Sequence, residues 1–382
     1  MAPEHKNILA EIVTLLTATM LAFAFLTYSA SSQVDFDNLA KGEQNTVCGE
    51  TYQGQAFTAS KVKDIKTVID KRHVDQADLP CKNLSRILWL GNSQLHYINQ
   101  FKDGDHIAPY WLRAGHTNPA CFEPLGFSLP NANMQEFLAL SRYATNRMKL
   151  NMLVMEVEFM GFREDGLRND FNEMLVSEVK DELRHSSPVA QDILKRYEGG
   201  SNNANEQEAK EALSGTVQKP VEQWLNDTLS SYWHIWASRP QIEGNIKLNL
   251  FLMRNYLLGI HATSTRRIIP IRYERNMAAL RDILDDYRER KIPVLLYIAC
   301  IRHDVPIPYL PDEYNRWKAD VRKIADELGA SFVNLENLVP ANLWGTYVEG
   351  EIDFMHFQGP GHRLLAQTLE PHILEILQKQ SQ

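Results

Sequence analysis

The stretch Arg86–Tyr97, RILWLGNSQLHY, decides the fold and indicates where its functional edge lies. Ile87–Leu90 is a short apolar run of strand-forming residues, which is typical of a buried parallel strand. Gly91 permits a sharp turn, and Ser93 then follows at the carboxyl end of the strand, where ligands of open α/β sheets bind. The same residues also fit an ordinary strand-to-helix turn in which Asn92 or Ser93 caps the helix.

A serine becomes a nucleophile only when a base lies within its reach. The candidate base is in the segment Asp353-Phe354-Met355-His356, just before a terminal helix that is predicted to begin at His362. On one tight turn, His356 can take the hydroxyl proton while Asp353 orients the imidazole. Alone, the segment also fits a turn aspartate beside a surface histidine. Together with the serine turn after the first strand, it predicts a triad of Ser93, His356 and Asp353.

Strands and helices alternate along much of the remaining chain. Strands separated by helices imply parallel βαβ units with right-handed crossovers, so the predicted fold class is a doubly wound α/β sandwich. Residues 99–122 are predicted to be loop-like. Further strands are predicted at Leu150–Phe159, Ile292–Cys300 and Phe332–Leu335, and helices at Met134–Met148, Asn276–Arg290 and Asp312–Gly329, with a helical insertion over about 170–266.

The N-terminal residues differ in character from the rest of the chain. Ile8–Tyr28 is apolar or small apart from Glu11 and scattered threonines, and it is long enough to cross a bilayer as a helix. A cleaved signal peptide is the alternative, because Ser29-Ala30-Ser31 offers small residues for cleavage. We therefore expect an N-terminal anchor over residues 1–32, a stalk over 33–80 and a catalytic domain over 81–382, with the last two exported.

Composition and charge exclude some classes of function. The net charge of −8 comes without a basic tract that could follow a phosphate backbone, which argues against nucleic-acid binding. The sequence contains no C-x-x-C pair and no H-E-x-x-H motif, so a dedicated zinc site is not expected. Neither a metal nor an organic cofactor is predicted.

The 4 cysteines suit an exported protein. Cys48 and Cys81 both precede the first core strand and are the candidate disulfide pair, with Cys121 as an alternative partner. Cys300 ends an apolar strand and is interpreted as a buried thiol that acts as a small hydrophobic residue.

These residues resemble two sequence blocks of the SGNH or GDSL hydrolases. Gly91-Asn92-Ser93-Gln94 is similar to the first block, Gly-Asp-Ser-x, with Asn92 in place of the aspartate. Asp353-Phe354-Met355-His356 is similar to the last block, Asp-x-x-His. The resemblance implies that Ser93 is the nucleophile, His356 the general base and acid, and Asp353 the residue that orients it. It also implies a flavodoxin-like three-layer α/β/α sandwich.

The family's remaining oxyanion residues have no clean counterpart in this sequence. The Ser93 N–H is the expected oxyanion donor. Asn92 and Asn133 are further candidates for the oxyanion or the substrate, and Asn133 equally fits the N-cap of the helix after it. Arg163 follows the strand Leu150–Phe159 and is a candidate for ordering the substrate, although a solvated charge cluster with Glu164 explains it as well.

A single N-terminal anchor makes the chain similar to exported members of the family, the DltD-like and alginate-acetylation proteins. That likeness implies a membrane-bound O-acyltransferase as partner and an acylated carbohydrate polymer as substrate. The expected activity is an acyl-ester hydrolase or O-acyltransferase that forms an acyl-enzyme on Ser93. A plain lipase, esterase or thioesterase is one alternative, and a non-catalytic scaffold that works through the helical insertion is the other.

Overall fold

The structure, a computed structural model, describes residues 45–46, 51–52, 55–74, 85–114, 122–200, 265–346 and 352–380. The expected anchor, Cys48, Cys81, Cys121 and residues 201–264 of the helical insertion lie outside this part of the chain. Within it, no helix combines the length and the apolar character that a membrane span requires.

From β8 onward, the main strands and helices follow the order that the sequence predicts. The strands are β1 (Asn45–Thr46), β2 (Thr51–Tyr52), β3 (Gln55–Ala56), β4 (Thr58–Ala59), β5 (Ser85–Gly91), β6 (Tyr97–Ile98), β7 (Phe122–Ser128), β8 (Met152–Val157), β9 (Val294–Ile298), β10 (Ser331–Asn334), β11 (Trp344–Thr346) and β12 (Ile352–Phe357). The helices are α1 (Val62–Val74), α2 (Ser93–His96), α3 (Ala108–Ala114), α4 (Met134–Arg147), α5 (Ser177–Ser186), α6 (Pro188–Gly200), α7 (Pro270–Glu289), α8 (Pro311–Leu328) and α9 (Gly359–Gln380).

Six parallel strands form the central sheet in the order β10-β9-β8-β5-β7-β4. Numbered along the chain from β5, five of them follow the order 2-1-3-4-5 of doubly wound flavodoxin-like sheets, and β4 adds an edge strand. The strand order reverses beside β5, so the crevice between the carboxyl ends of β5 and β8 is the switch point where such folds bind ligands.

Both faces of the sheet are buried, which explains why its strands are continuous apolar runs. Along β5, Leu88 and Leu90 enter the core that contains residues of α1, α4, α7 and α8. Ile87 and Trp89 enter the opposite core, which contains residues of α3 and α9. Because successive side chains of a strand point to opposite faces, one strand serves both cores. The predicted α/β/α layering is therefore confirmed for the described residues.

Strand β7 was not predicted, because Glu123, Pro124 and Gly126 interrupt its apolar pattern. Proline is rare in an inner strand, since it cannot donate to a neighbour. The two-residue strand β4 pairs with β7 only at Gly126 and Phe127, so Pro124 has a neighbouring strand on one side alone. The region predicted as a loop before β7 also contains α3, which packs against α9.

Residues 57–74, expected in the stalk, belong to the folded core. Strand β4 is an edge strand of the central sheet, and α1 buries Val62, Ile65 and Ile69 against it. Phe57, just before β4, is also fully buried. The expected boundary at residues 80 and 81 is therefore wrong as the start of the α/β domain, which already includes this strand and helix.

Candidate active site

A continuous chain of hydrogen bonds joins Ser93, His356 and Asp353. The Ser93 Oγ lies 2.8 Å from the Nε2 of His356. On the other side of the ring, Nδ1 lies 3.0 Å from Oδ2 and 3.2 Å from Oδ1 of Asp353. The structure therefore brings together the three residues that the sequence predicted as a triad, and their order matches that of a nucleophile, its base and the residue that orients the base.

The serine lies where the strand order predicts a functional site. Ser93 is the first residue of α2 and follows the carboxyl end of β5 after a single intervening residue. The N–H groups in the first turn of a helix have no acceptor within the helix. The backbone N–H of Ser93 is thus a candidate donor to an oxygen bound beside its own hydroxyl group.

Asp353 and His356 lie on strand β12 and not on the tight turn that the sequence predicted. In a regular strand, residues three positions apart point to opposite faces. Here β11 pairs with β12 irregularly: Thr346 lies opposite Ile352, while Trp344 lies opposite Phe357. Because this irregularity adds residues on the β12 side, both side chains can meet on one side.

Asp353 is fully buried and accepts several hydrogen bonds. The backbone N–H groups of Met355 and His356 donate to Oδ1 at 2.9 and 3.0 Å, and the side-chain amide of Asn99 donates to Oδ2 at 2.8 Å. Burial alone would raise the pKa of this carboxyl group. The charge of His356 and the hydrogen bonds from His356 and Met355 outweigh burial and hold the pKa below its usual value. Asp353 therefore stays ionised beside the imidazole.

The supporting residue Asn99 was not identified from the sequence. It is fully buried, and its backbone N–H donates to the carbonyl oxygen of Phe357 at 3.0 Å, so it ties the end of β6 to β12. A Cβ on Gly345 would fall 1.8 Å from the Asn99 side chain, so only glycine leaves room for this amide. No pattern in the sequence connects Asn99 with residue 353, since the contact spans 254 positions.

Gln94, next to the serine, ties the turn to strand β12 and to the chain that follows β9. Its Nε2 donates to the carbonyl oxygens of Cys300 at 2.8 Å and Met355 at 2.6 Å, and its Oε1 accepts from the N–H of Cys300 at 3.1 Å. The chain after β9 and the residue before His356 are therefore held against the serine turn. Cys300 is buried and its thiol is free, as the sequence predicted.

The side chain of Asn92 does not cap α2 but forms a hydrogen bond with a residue at the end of the neighbouring strand β8. Its side chain makes no cap hydrogen bond, and its Nδ2 donates to Oε2 of Glu158 at 2.6 Å. The Oδ1 atom of Asn92 is buried and has no hydrogen-bond partner. Gly91 is needed for close approach, because a Cβ there would lie 2.8 Å from the Glu156 carboxylate and from Leu95.

Glu156 and Glu158 place two carboxyl groups beneath and beside the serine turn. Burial and the neighbouring Glu158 raise the pKa of Glu156 to about 8, against a hydrogen bond from the Tyr297 hydroxyl group. Burial also raises the pKa of Glu158 to about 7, while the hydrogen bond from Asn92 and the charges of His356 and Arg266 oppose that rise. The pKa of Glu158 therefore lies near neutral pH, and the charge of His356 acts on this carboxyl group.

The two remaining candidates do not contact the triad. Asn133 caps α4: its Oδ1 accepts from the N–H groups of Gln135 and Glu136, and its Nδ2 donates to the carbonyl oxygen of Gly166 at 2.8 Å. The alternative of a helix cap is thus the one that the structure shows for its side chain. Arg163 donates through Nε to the carbonyl oxygen of Arg267 at 2.7 Å.

Other histidines are occupied elsewhere. His96 is buried and its Nδ1 lies 2.7 Å from Oγ of Ser128, while His106 stacks on Tyr110. The Nε2 of His362 bonds the carbonyl oxygen of Tyr97 at 3.0 Å, and burial lowers the pKa of His362 to about 4, so this imidazole is neutral. His116 lies outside the described residues. In the described part, no three His, Cys, Asp or Glu side chains are grouped so that they could hold a metal ion.

A small cavity with four aromatic side chains in its wall adjoins the site. It reaches from Glu158 to Met355, the residue before His356, and it admits only a group of about the size of one water molecule. Tyr309 lies in its wall and its hydroxyl group reaches the Met355 sulfur at 4.0 Å. The other aromatic side chains of the wall are Phe159, Tyr314 and Trp317.

Comparison with known proteins adds little. The sequence matches no protein-family model and no curated protein. Among solved structures, a mutant of an acetyl-xylooligosaccharide esterase from Geobacillus stearothermophilus is similar, with 11% sequence identity and a TM-score of 0.36, over 75% of this chain and 92% of that one. A protein from Bacteroides fragilis with the provisional name acylhydrolase gives 10% identity and a TM-score of 0.36, over 81% and 96% of the two chains. Similarities this weak carry no argument about activity, which rests on the site itself.

Proposed function

We propose that this chain is a serine-dependent acyl-ester hydrolase that forms an acyl-enzyme on Ser93. One observation carries the proposal, namely the unbroken hydrogen-bond chain from Ser93 through His356 to the buried, ionised Asp353. A serine hydroxyl group is a weak nucleophile until a neighbouring base removes its proton. The separation of 2.8 Å between Oγ and Nε2 is within the range for that transfer.

The reaction would proceed in two halves. Ser93 Oγ attacks the ester carbonyl carbon while His356 Nε2 accepts the hydroxyl proton, and the Asp353 carboxylate stabilises the imidazolium that forms. The tetrahedral intermediate collapses when the alcohol leaves with the proton from His356. Water then repeats the sequence on the acyl-enzyme and releases the acid, which returns Ser93 to its starting state.

The backbone N–H of Ser93 is the proposed donor to the oxyanion of the tetrahedral intermediate. It lies at the start of α2 beside its own hydroxyl group, so it is close to the position where the negative charge would develop. Asn133 is not proposed for this role, because its side chain caps α4 and bonds Gly166.

We further propose a short acyl group on a carbohydrate as the substrate. The support for a short chain is the small cavity between Glu158 and Met355, which has no room for a long hydrocarbon. The support for a carbohydrate polymer, for transfer to a sugar hydroxyl group and for a membrane-bound O-acyltransferase as partner is the sequence resemblance. Export and anchoring by Ile8–Tyr28 rest on the apolar character of that segment.

Labelling and turnover together test the proposal. A fluorophosphonate probe should modify Ser93 in the wild-type chain and leave Ser93→Ala unlabelled, with the adduct located by peptide mass mapping. The wild-type chain should hydrolyse p-nitrophenyl acetate faster than the octanoate. Addition of an acetyl acceptor sugar separates transfer from hydrolysis through the acetylated product. A folded chain that neither takes the label nor turns over any ester would favour the non-catalytic scaffold.

A further inference from the structure

Three arginines meet at the carboxyl edge of the sheet without an acidic partner. In the part of the chain that the structure describes, Arg163, Arg266 and Arg272 form no ion pair. Many of the other described arginines are paired with a carboxylate: Arg142 lies 2.7 Å from Asp286, and Arg147 lies 3.0 Å from Glu182. An unpaired, half-buried guanidinium group is costly unless something else provides the missing charge.

Arg163 and Arg266 are brought to the same point. The Nη1 of Arg163 lies 3.5 Å from the sulfur of Met160, and the Nη1 of Arg266 lies 3.3 Å from the same atom. A thioether is a weak acceptor, so it does not satisfy either cation. Arg272 is close as well, since its Nη1 donates to the carbonyl oxygen of Arg163 at 2.9 Å.

The electrostatics of this cluster favour an anion. Burial, together with the charges of Arg266 and Arg272, lowers the pKa of Arg163, although the nearby Glu164 partly offsets that effect. Like charges held together in a half-buried position repel each other, and a bound anion would relieve the repulsion. A planar guanidinium group can bind a carboxylate or phosphate through two parallel hydrogen bonds.

The cluster adjoins the proposed catalytic residues. Arg266 forms a parallel bridge with Tyr309, and the Tyr309 hydroxyl group reaches the sulfur of Met355, next to His356. The charge of Arg266 also acts on Glu158, which bonds Asn92 beside the serine. A substrate whose ester carbonyl lies at Ser93 can therefore extend over the edge of the sheet toward these cations.

We propose that Arg163 and Arg266, with Arg272 behind them, bind an anionic oxygen group, a carboxylate or a phosphate, on the alcohol portion of the acylated substrate. The inference rests on the proposed function and defines its substrate class, acidic acyl esters. Arg163 and Arg266 act as specificity-determining residues, and no bond is made or broken at them.

A matched pair of esters tests the proposal. Mono-O-acetylated methyl glucuronoside and methyl glucoside differ in a carboxylate at one position. The wild-type chain should give about tenfold or higher kcat/KM for the charged ester, mainly through a lower KM. This preference should fall as NaCl rises, since salt screens partly exposed charges. In Arg163→Gln and Arg266→Gln, kcat/KM for the charged ester should fall about tenfold more than that for the neutral ester.

Two further variants separate charge from structure. Arg163→Lys keeps the positive charge and should retain part of the preference for the charged ester. If Arg163 only held Arg267 in place, Arg163→Lys and Arg163→Gln should lose that preference to the same extent. Arg281→Gln is the control, because this arginine lies on α7 and pairs with Glu327. It should keep the wild-type ratio. Equal kcat/KM for the two esters in the wild-type chain, or an unchanged ratio in the arginine variants, overturns the inference.

A binding measurement tests whether the three arginines bind an anion, independently of ester hydrolysis. Calorimetric titration of Ser93→Ala with methyl glucuronoside, or with a methyl glucoside phosphate, should show binding that Arg266→Gln abolishes. No binding of either anion, or binding equal to that of the neutral methyl glucoside, overturns the inference whatever the activity. If the anions bind but neither ester is hydrolysed, the proposed function fails while the anion site stands.

Discussion

The side-chain amide of Asn92 donates a hydrogen bond of 2.6 Å to Glu158, and this bond links the residue before the serine to the neighbouring parallel strand. Both groups are buried. An aspartate at position 92 would face Glu158 with a second negative charge, and two adjacent carboxylates cannot both ionise without cost. The amide instead supplies a donor, so the departure from the Gly-Asp-Ser pattern fits the glutamate on the next strand.

The buried carboxyl groups predict that stability falls as the pH rises. The pKa of Glu156 is about 8 in the folded chain, against an ordinary value of 4.5. The folded state therefore holds a proton that the unfolded state has lost. A group whose pKa is raised by folding contributes its full stabilisation below pH 4.5 and loses it as the pH approaches 8. Glu158, with a pKa of about 7, acts in the same direction.

Glutamine substitutions test this pH dependence. Urea unfolding of Glu156→Gln and of Glu158→Gln between pH 5 and 9 should give a smaller loss of stability than the wild-type chain shows, by an amount of a few kcal/mol at most. Glu274→Gln, at an exposed position on α7, is the control and should follow the wild-type curve. Parallel curves for the wild type and the two buried variants would show that neither carboxyl group is protonated in the fold.

The hydrogen-bond chain predicts that Ser93 and His356 act as one unit. Ser93→Ala and His356→Ala should each lower kcat for p-nitrophenyl acetate by about a thousandfold or more, because either change removes the activated nucleophile. The double variant should be hardly slower than either single variant. Circular dichroism and thermal unfolding of all three variants check that the fold survives. Losses that multiply in the double variant would mean that the two residues act independently.

Much of the fold could be predicted from the sequence, because its inner strands are buried on both faces and read as apolar runs. Strands β5, β8, β9 and β10 lie within or at the predicted stretches. Strand β7 escaped prediction since a proline and a glycine break its pattern, and Pro124 is tolerated because the short strand β4 does not reach it. That reason is tertiary and is invisible in the local sequence.

The site was predictable only where side-chain chemistry is confined to short motifs. Ser93, Asp353 and His356 are recognisable by type and spacing, and the structure places them together. Asn99 escaped prediction because it contacts Asp353 across the fold. The helix cap at Asn133 could be predicted, because the sequence places Glu136 three residues later and the two residues form a capping box.

The apolar segment Ile8–Tyr28 predicts membrane association of the full chain. It lies outside the described residues, so its expected behaviour rests on length and hydropathy. The full chain should sediment with membranes after high-salt washing, and a chain that begins at Gln33 should remain in the supernatant and keep its ester hydrolysis. A mature N-terminus near Ser31, determined by N-terminal sequencing, would instead indicate a cleaved signal peptide.

Gly91 predicts a steric requirement beneath the serine turn. A Cβ at this position would lie 2.8 Å from Glu156 and from Leu95, which is closer than real Cβ atoms come. Gly91→Ala should therefore lower the free energy of unfolding by about 1–3 kcal/mol and reduce kcat, because the turn that carries Ser93 must shift. Gly199→Ala on α6 is the matched control: no atom lies within 4 Å of its Cβ position, so it should be neutral or slightly stabilising.

The bond from Asn99 to Asp353 predicts a graded series of effects on the triad. Asn99→Ala leaves a buried carboxylate oxygen without its donor and should cost about 1–3 kcal/mol of stability, with about a tenfold loss of kcat. Asn99→Asp places a second carboxyl group against Asp353, which raises the pKa of the pair, so its activity should recover as the pH rises. Gly345→Ala, whose Cβ would fall 1.8 Å from the Asn99 side chain, should mimic Asn99→Ala while keeping the amide in the sequence. Measuring kcat for ester hydrolysis from pH 5 to 9, together with stability by urea unfolding, distinguishes these three variants. Wild-type kcat in Asn99→Ala would mean that Asp353 is oriented by the backbone N–H groups of Met355 and His356 alone.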